Sequence, residues 1–253
     1  MNIKSINKKS KTQNNMTINK YRDSEELSEH VADFIIALLK EKPNATLVLT
    51  SGDTPKRAYQ IMSQKASKDL FENCLIIGLD EWVGIGPENE GSCRYIVEEN
   101  LLKPLAIPEE NYTFFDSLNS DLEAECKRVD DLIKSRGGLD FIVVGIGLNG
   151  HIGLNEPGYA FDHYCHVTDI AQMTIDVGQK YFKTETPLTK GITIGLKHLL
   201  EAKAAMIMAS GIKKAEIIKE TVSAKISPEI PSTVFQLHAN GYVWLDEAAG
   251  RLI

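Results

Sequence analysis

Four short polar or glycine-rich segments, each directly behind an apolar run, hold the residues of this sequence best suited to chemistry. The run 46–49 (TLVL) is followed by Ser51, Gly52, Asp53, Thr54 and Pro55. The glycine lets backbone approach a ligand. Thr54 and Pro55 suit the N-cap and first position of a helix, whose free amides bind phosphate. A plain strand-to-helix turn would use the same residues, and the Gly-Lys-Ser/Thr ending of a Walker loop is missing. The run 75–79 (LIIGL) leads into Asp80-Glu81-Trp82. Neighbouring side chains on an extended chain point apart, so at most one of the two carboxylates faces a pocket. A desolvated Asp80 there would hold its proton to higher pH and serve as a base; capping the next element is the alternative use.

The third segment, 145–158 (GIGLNGHIGLNEPG), contains the dinucleotide pattern Gly145-x-Gly147-x-x-Gly150. That pattern needs a helix opening at its third glycine. Instead His151, Gly153, Asn155, Glu156 and Pro157 follow, which predicts a long irregular loop of the kind that is usually functional. His151 and Glu156 form a proton-transfer pair in this reading, with Pro157 keeping Glu156 extended. The fourth segment is Gly211 with Lys213 and Lys214, between 204–209 (AAMIMA) and a helix from about 213. A lysine at a helix start opposes the helix dipole unless an anion binds there; the alternative is a solvated surface lysine.

The elements that must position these segments follow from apolar periodicity. Residues 24–41 place Leu27, Val31, Phe34, Ile35, Leu38 and Leu39 on one helical stripe, with Asp23 or Ser24 as cap. Helices are also expected from Lys56, over 92–102, over 121–136 until Gly137-Gly138, over 192–202 and from about Lys213. Apolar runs at 46–49, 75–79, 140–145 and 204–209 read as buried strands, with shorter strands at 234–237 and 242–245. Buried strands alternating with amphipathic helices predict a single α/β domain over 17–253: a doubly wound, mostly parallel sheet with helices on both faces. Residues 1–16 read as a disordered polar tail, and 159–182 as a lid over the site.

The bulk properties bound the function. The 253 residues are 43% hydrophobic and 25% charged, with a net charge of −7. An acidic chain is a poor nucleic-acid binder. No apolar run approaches a membrane span, and no apolar segment follows the lysine-rich start as in a signal peptide. Cys74, Cys93, Cys126 and Cys165 are scattered without zinc spacing, and read as reduced thiols in a cytoplasmic protein.

Taken together, the segments resemble the glucosamine-6-phosphate deaminase family from about residue 17 to about 247. SGDTP (51–55) resembles its phosphate loop, LDEWVG (79–84) its catalytic-base segment and GIGLNGHIGLNEPG its signature; PLTKGITIGLKHLLEA (187–202) and SGIKKA (210–215) continue the match. LDEW, RGGLD and NGHIGLNEPG look closer to the galactosamine-6-phosphate isomerase branch. The resemblance implies a modified Rossmann-like fold and an enzyme that isomerises and deaminates an amino-sugar 6-phosphate without metal or organic cofactor. The substrate it implies first is galactosamine 6-phosphate, giving tagatose 6-phosphate; the alternative is glucosamine 6-phosphate, giving fructose 6-phosphate. It also implies roles: Asp80 takes the C2 proton, His151 opens the pyranose ring, Glu156 tunes it, and Ser51, Gly52 and Thr54 with Lys214 and Lys180 bind the phosphate. Asn149 stands where some members have an aspartate, Lys180 where many have an arginine, and Asp53 where a small residue is usual. The side chain of Asp53 must therefore turn away from a bound dianion. A homo-oligomer is compatible with the sequence, and no nucleic-acid or membrane partner is expected. Three rivals are a 6-phosphogluconolactonase-like hydrolase, a non-catalytic sugar-phosphate sensor and a nicotinamide oxidoreductase.

Overall fold

The computed structural model describes residues 11–13 and 16–253. Its main sheet runs β1 (Lys11–Gln13), β2 (Met16–Tyr21), β11 (Gly241–Asp246), β10 (Ala205–Ala209), β7 (Phe141–Val144), β3 (Thr46–Leu49), β4 (Leu75–Gly78) and β6 (Tyr112–Thr113). Every pairing is parallel except that of β1 with β2. The central strands are four- and five-residue apolar runs buried throughout, because both faces are covered.

The period of two in the strands divides the core between the faces. Leu47, Leu49, Phe141, Val143, Met206 and Met208 pack under helices α1 (Ser24–Glu41) and α2 (Asp53–Lys65). Val48, Ile142, Val144, Ile207 and Val243 face α4 (Leu122–Ser135), α6 (Leu196–Glu201) and α7 (Ala215–Ser223). Of the two candidate caps of α1, Asp23 is the one used, its carboxylate accepting from the Glu26 amide at 2.9 Å. The doubly wound fold is thus as the sequence predicts. Among the described residues no helix is long and apolar enough to cross a membrane.

Several expectations need correction. A second sheet, antiparallel and three-stranded, contains β5 (Asp80–Trp82), β9 (Lys190–Thr193) and β8 (His166–Asp169). Its strands are short and only pair with one another through tertiary contact, so β9 lies where the start of a helix over 192–202 is expected. The segment 159–182, expected over the site, contains β8, α5 (Gln172–Gly178) and a 3₁₀ turn (Gln179–Tyr181), elements that do not contradict that expectation. The strand expected at 234–237 is instead a 3₁₀ stretch, Pro231–Leu237, opened by a proline. Within the tail expected over 1–16, Lys11–Gln13 pair with the edge of β2, where free backbone groups accept any sequence. Residues 1–10, 14 and 15 of that tail lie outside the described residues.

The chain winds from β3 to β4 toward one edge and from β7 through β10 to β11 toward the other. The reversal falls between β3 and β7. A doubly wound sheet opens a crevice at that point, beyond the carboxyl ends of its strands.

Candidate active site

All four chemical segments meet in that crevice, around a cavity of about 740 Å³. Ser51, Gly52, Asp53 and Thr54 line it from β3, Asp80 from β4, Asn149 and His151 from the loop after β7, and Lys214 from the turn after β10. Lys180 reaches it from the turn after α5. Glu156 does not line the cavity; it sits behind His151, fully buried.

The turn after β3 differs in detail from expectation. Gly52, not Thr54, is the N-cap of α2, with φ of 114°, a backbone conformation that suits glycine. Pro55 falls within the first turn, where its missing amide costs nothing. Because Gly52 has no side chain to accept from the first-turn amides, the helix start lacks the usual internal cap. Asp53 turns its carboxylate sideways to Lys180, Oδ2 to Nζ 2.6 Å. The ammonium of Lys180 also lies 4.8 Å from the ring centroid of Tyr181, whose hydroxyl stands 3.4 Å from where a side-chain carbon on Gly52 would be.

Asp80 and Glu81 separate as neighbours on a strand must. At Leu79 the chain leaves the main sheet: the Leu79 amide donates to Leu49 O at 3.0 Å, while its carbonyl accepts from the Ile194 amide at 2.9 Å. Asp80 then pairs across β5 and β9 with Thr193 and faces the cavity. Glu81 faces away and accepts from the Trp82 amide at 3.0 Å, the Ser92 hydroxyl at 2.7 Å, and the Cys93 and Arg94 amides at 2.9 and 3.0 Å. It thereby fixes the start of helix α3 (Cys93–Val97).

Asp80 is only 8% exposed, and its Oδ1 has no hydrogen-bond partner. Burial first, and the neighbouring Glu81 charge second, push its carboxyl up from 3.8 to about 7, against a hydrogen bond from the Cys93 thiol. A carboxylate tuned to neutrality in a cavity is suited to proton abstraction.

The loop 145–158 is irregular, as predicted, and is pinned from within. The Gly147 amide donates to His151 O at 2.9 Å, and the Asn155 side chain donates to Ile152 O and Ile194 O at 2.8 and 2.9 Å. Asn149 accepts from the His151 amide at 3.1 Å and donates to Glu156 Oε2 at 2.8 Å. His151 Nδ1 lies 3.6 Å from Glu156 Oε2 and 3.0 Å from Thr174 Oγ1. Burial would raise the Glu156 carboxyl, but His151, Thr174 and Asn149 together hold it below the ordinary range, so it is ionised at neutral pH.

The His151 ring lies flat against Gly147, where a Cβ would stand 2.4 Å from its Nδ1 and Cε1. Gly147→Ala must therefore move the ring. We expect turnover to fall about 10²-fold, measured as kcat, with the ring displaced in the structure of the variant.

Lys214 is buried enough that its ammonium is pushed down to about 8, with the charge of Lys180 adding to the effect. Its Nζ donates to Ile146 O at 2.5 Å. Two lysines and an uncapped helix start therefore converge from two strand ends and the turn after α5 on one side of the cavity, a setting for an anion.

Three lining groups carry no mark in the sequence. Thr174 sits on α5, the Cys93 thiol on α3 and the Tyr181 hydroxyl beyond α5; only the packing of these elements brings them to the crevice. Outside it, Asp130, Cys165 and His198 place metal-ligand atoms within 4.8 Å of one another. His198 Nε2 and Asp130 Oδ1 are already bonded at 2.7 Å, and the Cys165 amide donates to the same oxygen at 3.1 Å, so these groups satisfy one another.

Residues 22–244 match the family model of glucosamine-6-phosphate isomerases and 6-phosphogluconolactonase. The chain is 36% identical over 233 residues to a glucosamine-6-phosphate deaminase of Thermoanaerobacter pseudethanolicus, covering 90% of this chain and 92% of that one. It is 39% identical over 217 residues to a glucosamine-6-phosphate deaminase of Lachnoclostridium phytofermentans, covering 84% and 92%. The solved structure of a monomeric glucosamine-6-phosphate deaminase superposes with a TM-score of 0.88 at 30% identity, covering 93% of this chain and 99% of that one. The 6-phosphogluconolactonase of Trypanosoma brucei, at 16% identity, a TM-score of 0.75 and coverage of 93% and 98%, shares the fold.

Proposed function

Since the chain belongs to the family of glucosamine-6-phosphate isomerases and 6-phosphogluconolactonases, we propose that it deaminates and isomerises an amino-sugar 6-phosphate, with glucosamine 6-phosphate as substrate and fructose 6-phosphate and ammonia as products. The observation that carries this reading is the sharing of one cavity by a neutral-tuned carboxylate, a glutamate-backed imidazole and an anion-ready helix start. The LDEW, RGGLD and NGHIGLNEPG segments favour the galactosamine branch, but the relatives that match over most of this chain are named for the glucosamine substrate, and they weigh more.

In this reading the 6-phosphate docks at the N-terminus of α2, held by the amides and hydroxyls of Ser51 to Thr54, by Lys214 and by Lys180. The dianion draws on the ammonium of Lys180 that pairs with Asp53. That remote binding energy positions carbons 1 and 2. His151, steadied by Glu156 and Asn149, moves the proton that opens the pyranose ring. Asp80 takes the C2 proton of the open-chain aldehyde and returns it to C1. The resulting C2 iminium adds water and releases ammonia, leaving the ketose. A lactone hydrolysis abstracts no proton from carbon, so the tuned Asp80 favours the deaminase over a lactonase. The fully formed acid–base set likewise speaks against a sensor.

The deciding assay measures ammonia release from glucosamine 6-phosphate and galactosamine 6-phosphate side by side. We expect the glucosamine epimer to be turned over with at least tenfold higher kcat/KM, a discrimination of about 1.4 kcal/mol. A preference for galactosamine 6-phosphate would reinstate the other branch, and ammonia from neither would remove the deaminase reading.

A further inference from the structure

We propose that Asp246, a residue outside the cavity, is a positioning residue: its carboxylate holds the turn after β10 so that Lys214 is presented to the anion side of the cavity. The proposal rests on the phosphate-binding role proposed above for Lys214. Asp246 closes β11 and is 6% exposed. Both of its carboxylate oxygens accept from the Gly211 amide, Oδ1 at 3.1 Å and Oδ2 at 2.9 Å, and Oδ1 accepts also from the Ala249 amide at 2.7 Å. It does not line the cavity, whereas Ser210, Gly211 and Lys214 do.

The need for such a group follows from where the ladder stops. β10 and β11 pair in register as far as Ala209 with Leu245. The Gly211 amide lies beyond that last pair and has no ladder acceptor, and backbone donors in a fold are paired. Asp246, the first side chain after the pair, supplies the acceptor. Gly211 itself takes φ of 88°, a conformation that glycine adopts readily, and its carbonyl accepts from the Lys214 amide at 3.0 Å. One residue thus has its N–H fixed by Asp246 and its C=O fixed to the backbone of Lys214. Through that residue the carboxylate orients the 3₁₀ turn Ile212–Lys214.

The same turn reaches both neighbouring strand ends. Ser210 Oγ lies 3.5 Å from Thr54 Oγ1 at the start of α2, and Lys214 Nζ reaches Ile146 O in the loop after β7. A shift of Gly211 therefore moves Ser210 and Lys214 together, on the side of the cavity suited to an anion. The bonds of the Asp246 carboxylate go to backbone amides, so it acts on Lys214 through the geometry of the turn.

Asp246→Ala removes the acceptor. Asp246→Asn keeps Oδ1, the oxygen shared by the two amides, and drops the charge. Gly211→Ala has room for its Cβ but resists the φ of 88°, so it strains the same turn with Asp246 in place, and it carries the test should Asp246→Ala not fold. In the substrate-free protein, the ¹³Cε resonance of Lys214, assigned by its loss in Lys214→Met, should titrate at about 8 in wild type and in Asp246→Asn. In Asp246→Ala and Gly211→Ala the midpoint should climb toward that of a free lysine. Loss of a negative charge would by itself lower it, so a rise reports the ammonium leaving its buried place. Inorganic phosphate should bind about tenfold more weakly to Asp246→Ala and Gly211→Ala, and within about twofold of wild type to Asp246→Asn; adding Asp246→Ala to Lys214→Met should change its affinity by less than about twofold. An unmoved or lowered Lys214 midpoint in Asp246→Ala, or in Gly211→Ala where that variant stands in for it, would overturn the proposal. So would a wild-type midpoint already at that of a free lysine, or the full tenfold loss of phosphate in the Lys214→Met background. The titration uses neither anion nor substrate, so its outcome stands apart from whether the wild type binds phosphate or releases ammonia.

Discussion

Asp80→Asn is expected to lower kcat by at least about 10²–10⁴-fold while making the folded protein more stable above neutral pH. Both effects follow from one environment. The carboxylate opens β5, just beyond the end of β4, buried, with an unpartnered oxygen and a second carboxylate as its chain neighbour. Burial and the Glu81 charge raise it from 3.8 to about 7. The base form therefore accumulates as pH rises through 7, and the acid limb of the wild-type rate profile should rise there. Asparagine cannot accept the proton, so the residual activity of the variant should lose that limb.

The same rise weakens the fold at alkaline pH. Between about 4 and 7 the folded state binds more protons at this site than the unfolded chain, so stability falls as pH climbs through that window. At about 1.4 kcal/mol per pK unit, ionising Asp80 in place costs on the order of 4 kcal/mol once the pH exceeds 7. Urea unfolding at pH 5 and pH 8 should show the advantage of Asp80→Asn over wild type growing toward that size at the higher pH. A wild type as stable as the variant at pH 8 would mean that the carboxylate is not held desolvated.

His151→Gln should be the second severe loss, and its kinetics should show which step fails. Glutamine can still meet the Thr174 hydroxyl but cannot shuttle a proton. Ring opening then loses its catalyst, worth about 10²–10⁴-fold, while Asp80 and the anion side of the cavity stay intact. KM should change little. At high enzyme concentration the variant should consume the small open-chain fraction of substrate in a burst, then proceed at the uncatalysed rate of ring opening, independent of enzyme concentration. A variant whose steady rate scales with enzyme at every concentration would place the histidine in another step.

Much of this architecture was legible in the residues. The apolar runs of the central strands and the stripe of α1 predicted the doubly wound sheet, because a strand buried on both faces must be apolar throughout and a half-buried helix must repeat every three to four residues. The strand ends named the cavity, because a parallel sheet gathers all its carboxyl ends on one side. Asp80, His151, Lys214 and the Ser51–Thr54 turn meet there for that reason alone. The departure of Glu81 from the pocket was equally a matter of strand alternation.

What remained hidden depended on pairing between segments with weak patterns of their own. β5, β8 and β9 have three or four residues each, and nothing in them distinguishes a small antiparallel sheet from loop or helix start. Yet that sheet holds Asp80 in place and carries the chain to α5. Thr174 and Tyr181 enter the crevice only through this packing, as does the sideways turn of Asp53 to Lys180. Sequence by itself determined the class of fold, the four chemical segments and their convergence, since these follow from hydrophobic period and chain direction. Tertiary structure alone decided how far Asp80 is desolvated, which group touches the histidine and which cation faces which anion. Those are distances between residues remote along the chain, and local pattern does not encode them.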